Sequence, residues 1–216
     1  PASIPMDKMG DAMLKAMMDP KNVGLARLSQ VLGTFFLMFL PAVLYSLIVN
    51  GKNKIWLGFS SHINGRQILI GFFIIFVSNL LASPLADITH SIVAHFPAIN
   101  TFAKNLEDTY NEQVIALSNL KSWGEFIMAI IIMAFFPALF EEIFFRGAIQ
   151  NLLEKWWKMP LLAIIVSSLI FSLIHFSVYL FLSRAVLGFV LGFMYYKTRN
   201  FWVNVIAHFL NNAIAV

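Results

Sequence analysis

Apolar residues run along this chain in blocks long enough to be membrane helices, not in the short alternations of a soluble protein. Leu28 to Asn50 carries no charge, and Ile68 to Ala86 is a second such block. Glu125 to Leu153 is a third, interrupted by Glu141, Glu142 and Arg146. Met159 to Ser183 has no formal charge, and the apolar pattern continues past Arg184 to Tyr196, too long for one helix. A break near Ser177–Tyr179 divides it into spans four and five. Phe201 to Val216 makes a shorter sixth span. The pattern predicts an all-α fold, a polytopic transmembrane helical bundle of about six spans.

Two further segments are periodic but amphipathic. Met6, Met9, Met13 and Met17 recur opposite Asp7, Lys8, Asp11 and Lys15. Ile99, Phe102, Leu106, Tyr110, Val114 and Leu117 recur opposite Lys104, Glu107, Asp108 and Glu112. Both fit helices lying on the membrane surface or capping the bundle, or packed as loop helices against the protein. Trp56, Trp156, Trp157 and Trp202, with Lys and Arg nearby, mark the membrane interfaces. Lys and Arg are shared evenly between the two sets of loops, so orientation stays open. Gly188 and Gly192 form a G-x-x-x-G spacing that suits close contact with a neighbouring helix of the same chain. Residues 1–27 are expected to form an interfacial N-terminal helix. Residues 28–123 would supply two scaffold spans and the amphipathic loop helix, and residues 124–216 a polar-bearing core.

Composition sharpens this picture. Of the 216 residues, 59% are hydrophobic and 12% charged, against about 45–50% and about 25% in soluble domains. Phe alone occurs 22 times. With no cysteine, disulfides, thiolate metal sites and cysteine nucleophiles are excluded. The formal charge of +4 suits anionic lipid headgroups, and without a basic stripe it speaks against nucleic acid as a partner. Pro1 to Pro20 lacks the pattern of a signal peptide. The chain does not begin with Met, so a preceding residue or segment is expected to have been removed.

Ionisable groups cost roughly 2.5–3.5 kcal/mol at the centre of a spanning helix. This chain incurs that cost repeatedly in its C-terminal half and hardly at all in the first two spans. Residues four apart share a helix face, so Glu142 lies beside Arg146 and can pair with it. Glu141 shares its face with Pro137 and Phe145 and has no local cation. Desolvation without a charge partner raises a carboxyl pKa, as a general acid or base near neutral pH requires. The acidic pair would also fit a helix end at the membrane surface. His175 lies one turn after Phe171, beside a stripe containing Ser168 and Ser172. His208 shares a face with Asn212, and Asn204 extends it one turn back. Read alone, each histidine could equally serve interhelical hydrogen bonding. If the faces converge, they bring together a carboxylate, two imidazoles and a carboxamide. Those supply a base, a proton shuttle and oxyanion donors.

Glu-Glu-x-x-x-Arg at 141–146, Phe-x-x-x-His at 171–175 and His-x-x-x-Asn at 208–212, in that order, resemble the three motifs of the CAAX protease and bacteriocin-processing (CPBP, or Abi) family. Phe145-Arg146-Gly147, and Gly188, Gly192, Tyr196 and Thr198, agree with its flanks. The resemblance covers about residues 124–216. It implies an all-helical intramembrane peptidase that cleaves peptides or prenylated protein tails near the bilayer surface. By position, the catalytic residues would be Glu141, His175, His208 and Asn212. Glu141 would activate water with help from His175, and His208 and Asn212 would hold the oxyanion. Glu142 and Arg146 would brace the site.

Members of the family have often been called metalloproteases, and Glu141, His175 and His208 would make a His2Glu zinc set. The H-E-x-x-H spacing is absent and Asn212 is a poor zinc ligand. What is known of the family leans toward metal-free, glutamate-based hydrolysis, so no cofactor is expected. The expected partners are membrane lipids and a peptide or protein-tail substrate, lipidated or not. The short loops, by resemblance, suggest the inner (plasma) membrane of a bacterium. Two other readings use the same cavity. One is a non-catalytic immunity or binding subunit with a peptide or membrane-protein partner. The other is a transporter with a proton relay, which the lack of internal repeats disfavours.

Overall fold

Prolines shape the long helices. Pro41 cannot donate a hydrogen bond to the carbonyl one turn earlier, and its ring crowds that carbonyl. In the computed structural model the strain is absorbed by a wider, π-helical turn at Phe35–Phe39, within the helix Val23–Asn50, here α1. The structure describes residues 5, 9–10, 12, 15–16, 19–51, 57–59, 63–117, 120 and 122–216. Most of the amphipathic segment expected at 6–17, and Trp56, lie outside them.

Helix α2, Gly65–Ala94, starts where the Asn64 side chain accepts from the Gln67 amide at 3.1 Å. It breaks at Leu81 into Gly65–Leu80 and Ala82–Ala94. Pro84, unable to pair with Leu80, accounts for the break. It also runs past the expected end at Ala86. Helix α3 is Pro97–Leu117, the second amphipathic segment. Helix α4, Trp123–Trp157, is capped by Ser122 and contains π-helical turns at Ile130–Phe135 and Ile143–Gln150. The first of these turns precedes Pro137, as the turn in α1 precedes Pro41. Helices α5 (Pro160–Leu173), α6 (Phe181–Thr198) and α7 (Phe201–Ala215) complete the chain. The expected break near Ser177–Tyr179 falls within the turn between α5 and α6.

Every regular element among the described residues is helical. Helices α1, α2 and α4 are long and apolar enough to cross a membrane. Helix α5 is apolar but has 14 residues, about 21 Å of helix against a hydrocarbon core of about 30 Å. It was expected to be a full span; Pro160 starts it and the turn bearing His175 ends it. The outward faces are greasy: Ile48 is 82% exposed, Leu37 73% and Leu80 64%. Large apolar side chains facing outward on all sides need lipid as their surroundings. The protein is an integral membrane protein.

Inside, small residues let the helices approach. Ala129, Ala134, Ala138, Ala163 and Ala207 are all fully buried. A Cβ at Gly188 would lie 3.2 Å from the Ser168 Cα, and one at Gly192 would lie 3.0 Å from the Ile164 side chain. The G-x-x-x-G pair therefore seats α6 on α5 of the same chain. Two hydrophobic clusters tie the halves of the sequence together. Ala42 and Leu57 pack with Ile143, Phe201 and Val205. Ile75 packs with Leu191, Met194, Val203 and Ala207. Helix α3 is fastened to the α5–α6 turn: Ser177 donates to Glu107 at 2.9 Å, and the Tyr179 hydroxyl donates to the Asn100 side chain at 2.6 Å.

Candidate active site

Helix α4 delivers two adjacent carboxylates to different neighbours, since successive residues point about 100° apart. Glu142 is fully buried. Its Oε1 accepts from the Arg146 guanidinium and from His208 Nδ1, both at 2.9 Å. Its Oε2 accepts from Asn204 Nδ2 at 3.1 Å. Arg146, equally buried, donates its other terminal nitrogen to the Gly188 carbonyl at 2.9 Å. The i, i+4 spacing in α4 thus makes a neutralised ion pair, and α6 and α7 supply the remaining partners. A charge pair survives burial when its other donors and acceptors are satisfied in this way.

Glu141 has a different setting. It is buried, and its Oε2 has no hydrogen-bond partner. Two imidazoles face that oxygen, His208 Nε2 at 3.7 Å and His175 Nε2 at 3.9 Å. The opposite ring nitrogens fix the tautomers. His175 Nδ1 lies 2.6 Å from the Phe171 carbonyl, which can only accept, so that nitrogen carries the proton. His208 Nδ1 meets the Glu142 carboxylate, with the same consequence. In their neutral forms both rings therefore turn the Nε2 lone pair toward Glu141. The Phe171 ring holds them there. Its centroid is 4.8 Å from that of His175 and 5.9 Å from that of His208, with the Arg146 guanidinium 5.1 Å away over its face. The His208 side chain is 3% exposed and that of His175 26%, so the pocket opens on the His175 side.

Glu141, Glu142, Arg146, His175 and His208, singled out from the sequence, thus surround one pocket. Asn212 lies one turn beyond His208 on α7, half-buried, with its Oδ1 accepting from Asn211 Nδ2 at 3.3 Å. Asn204 had been placed on the same face as His208, and that spacing explains why both reach Glu142. The tie to Glu142, and a second bond from Asn204 Nδ2 to the Leu191 carbonyl at 2.7 Å, emerge only from the fold.

Three ligands on one tetrahedral zinc stand about 3.4 Å apart, given bonds of about 2.0–2.2 Å. The spacings around Glu141 are wider, 3.7 and 3.9 Å. Among the described residues no group of three or more His, Asp or Glu is arranged to hold a metal ion.

Residues 123–214 match the family model described as type II CAAX prenyl endopeptidase Rce1-like. The chain is 30% identical over 89 residues to "Putative membrane peptidase YdiL" of Bacillus subtilis (strain 168), covering 41% of this chain and 36% of that protein. It is 34% identical over 89 residues to "Uncharacterized protein YpbD" of the same organism, covering 39% of this chain and 42% of that protein. The chain thus spans well under half the length of either relative. No solved structure matches it significantly. Every group around Glu141 comes from the matched segment, and over residues 123–214 the chain is similar to the Rce1-like CAAX prenyl endopeptidases.

Proposed function

We propose that the protein is an intramembrane endopeptidase that hydrolyses a peptide bond in a peptide or protein tail, using water activated by Glu141. The observation that carries this reading is the buried Glu141 oxygen, unpartnered and faced by two imidazoles whose far nitrogens are already engaged. A water molecule about 2.8 Å from Glu141 Oε2 and from both Nε2 atoms is compatible with separations of this size. The family match supports the peptidase class.

In the proposed reaction the Glu141 carboxylate takes a proton from water, and the oxygen so released attacks the scissile carbonyl carbon. The carbonyl oxygen becomes an oxyanion, held by the Asn212 carboxamide and by His208. The tautomer sets a condition on His208: its Nε2 donates only when the ring is doubly protonated. Collapse of the tetrahedral intermediate breaks the C–N bond. Glu141 returns that proton to the leaving amine, directly or by way of the more exposed His175 Nε2. Glu142 and Arg146 keep His208 in place.

The substrate is proposed to be a tail presented at the membrane surface, with or without a lipid, and the setting the inner membrane of a bacterium. The test compares peptides released in membranes containing the wild-type protein and Glu141→Ala. Release is expected with the first and to fall at least about a thousandfold with the second. Undiminished release from Glu141→Ala would refute the assignment. Peptide binding without any turnover by the wild-type protein would identify a non-catalytic binding subunit instead.

A further inference from the structure

Helix α2 lies outside the segment that matches the family, yet its exposed Asn79 reaches α7 at the residue next to Asn212. Asn79 stands midway along this 30-residue apolar helix, just before the break at Leu81. A carboxamide at that depth is costly unless it has a partner. Its Nδ2 donates to Asn211 Oδ1 on α7 at 2.6 Å. Asn211 Nδ2 in turn donates to Asn212 Oδ1 at 3.3 Å. Three carboxamides therefore run in series from α2 to the end of the proposed oxyanion site, each donating to the next.

The direction of this series matters. The two ends of a carboxamide have nearly the same shape, so its neighbours decide whether nitrogen or oxygen points a given way. With its oxygen held by Asn211, Asn212 has its NH2 group left for the pocket. With the series reversed, Asn212 would spend that NH2 on Asn211 and turn its oxygen toward the oxyanion. The broken helix fixes where the series starts. Ser78 bonds back to the Ile74 carbonyl at 2.7 Å, a bond that bends helices, and Pro84 interrupts the ladder beyond.

We infer that Asn79 is a positioning residue that acts through Asn211 to hold Asn212 as a hydrogen-bond donor. The inference rests on the peptidase reading and adds to it a functional residue from the N-terminal half. It is tested by steady-state hydrolysis of a peptide whose cleavage depends on Glu141, with Asn79→Ala, Asn79→Asp, Asn212→Ala and the two double variants. Thermal unfolding in detergent separates misfolded variants from folded ones.

Asn79→Ala is expected to lower kcat about tenfold with KM unchanged, because the lost orientation counts mainly in the transition state. Asn79→Asp keeps the shape and, measured at a pH where it is ionised, can only accept, so it draws the Asn211 NH2 toward itself and reverses the series. It is expected to be slower than Asn79→Ala. A residue that merely packs would show the opposite order. In the Asn212→Ala background both changes should cost less than about twofold, since their target is gone. Wild-type kcat in both Asn79 variants, or the same loss with and without Asn212, would overturn the inference. If Asn212→Ala leaves no measurable rate, the order of the two single variants decides. If Asn79→Asp does not fold, Asn79→Ala and its double variant decide. Turnover that survives Glu141→Ala, or is absent from the wild type, is a failure of the peptidase reading and takes the inference with it.

Discussion

Replacing Arg146 by Met separates the ion pair without emptying the space the side chain fills. Arg146 makes two hydrogen bonds at 2.9 Å, one to the Glu142 carboxylate and one to the Gly188 carbonyl. It also lies over the Phe171 ring at 5.1 Å. A hydrogen bond to a charged group is worth about 1.5–3 kcal/mol, and the substitution removes two of them, though the Gly188 carbonyl keeps its partner within α6. Breaking a buried pair by removing one partner costs about 3–5 kcal/mol, within that range. For a chain of 216 residues, each kcal/mol moves Tm by about 2–4 °C, so Arg146→Met should lower it by roughly 6–20 °C. The assay is thermal unfolding in detergent micelles. Because the damage comes from a bare carboxylate, Glu142→Gln added to Arg146→Met should restore part of the loss. Arg146→Met melting with the wild type, or a double variant less stable than the single one, would refute the account of Glu142 as a charge that depends on Arg146.

Asn204→Ala strands Glu142 Oε2 and removes the second bond to the Leu191 carbonyl, which keeps its partner within α6. It should cost about 1–3 kcal/mol in the same unfolding assay. Gly188→Ala places a methyl group 3.1 Å from Phe171 and 3.2 Å from the Ser168 backbone. Helices α5 and α6 must part slightly, so about 1–3 kcal/mol of stability should be lost, again read by thermal unfolding. Since no step is routed through a metal, prolonged dialysis against a chelator should leave Glu141-dependent turnover unchanged. Loss on dialysis with recovery on adding zinc would overturn that mechanism.

Much of the site was legible because helical spacing carries it. Glu142 and Arg146 are four apart, as are Phe171 and His175, and Asn204 and His208, and each pair lands on one face. Long uncharged runs likewise made the membrane helices readable. What spacing could not show was anything settled by backbone carbonyls or by distant contacts. The Phe171 carbonyl that fixes the His175 tautomer leaves no mark in the sequence. The bond between Asn79 and Asn211 joins residues 132 apart. It lies in a helix that looked like scaffold because one carboxamide barely disturbs its hydropathy. The shortness of α5 was hidden too, since the apolar run continues through the turn that ends it. Pro41 and Pro137 hinted at irregular helices, but the widened turns that answer them depend on neighbouring packing.

Glu141 and Glu142 stand between two widened turns of α4, at Ile130–Phe135 and Ile143–Gln150. Such a turn accommodates one residue more than an ordinary α-helical turn, and each residue is worth about 100° of rotation. Deleting any one residue from either stretch would let the helix tighten and swing everything beyond it by about a quarter of a revolution, carrying Arg146 or the carboxylates away from their partners. Chain length within these stretches should consequently be under stricter selection than the identity of many side chains in them, with insertions and deletions silencing the protein where substitutions are endured.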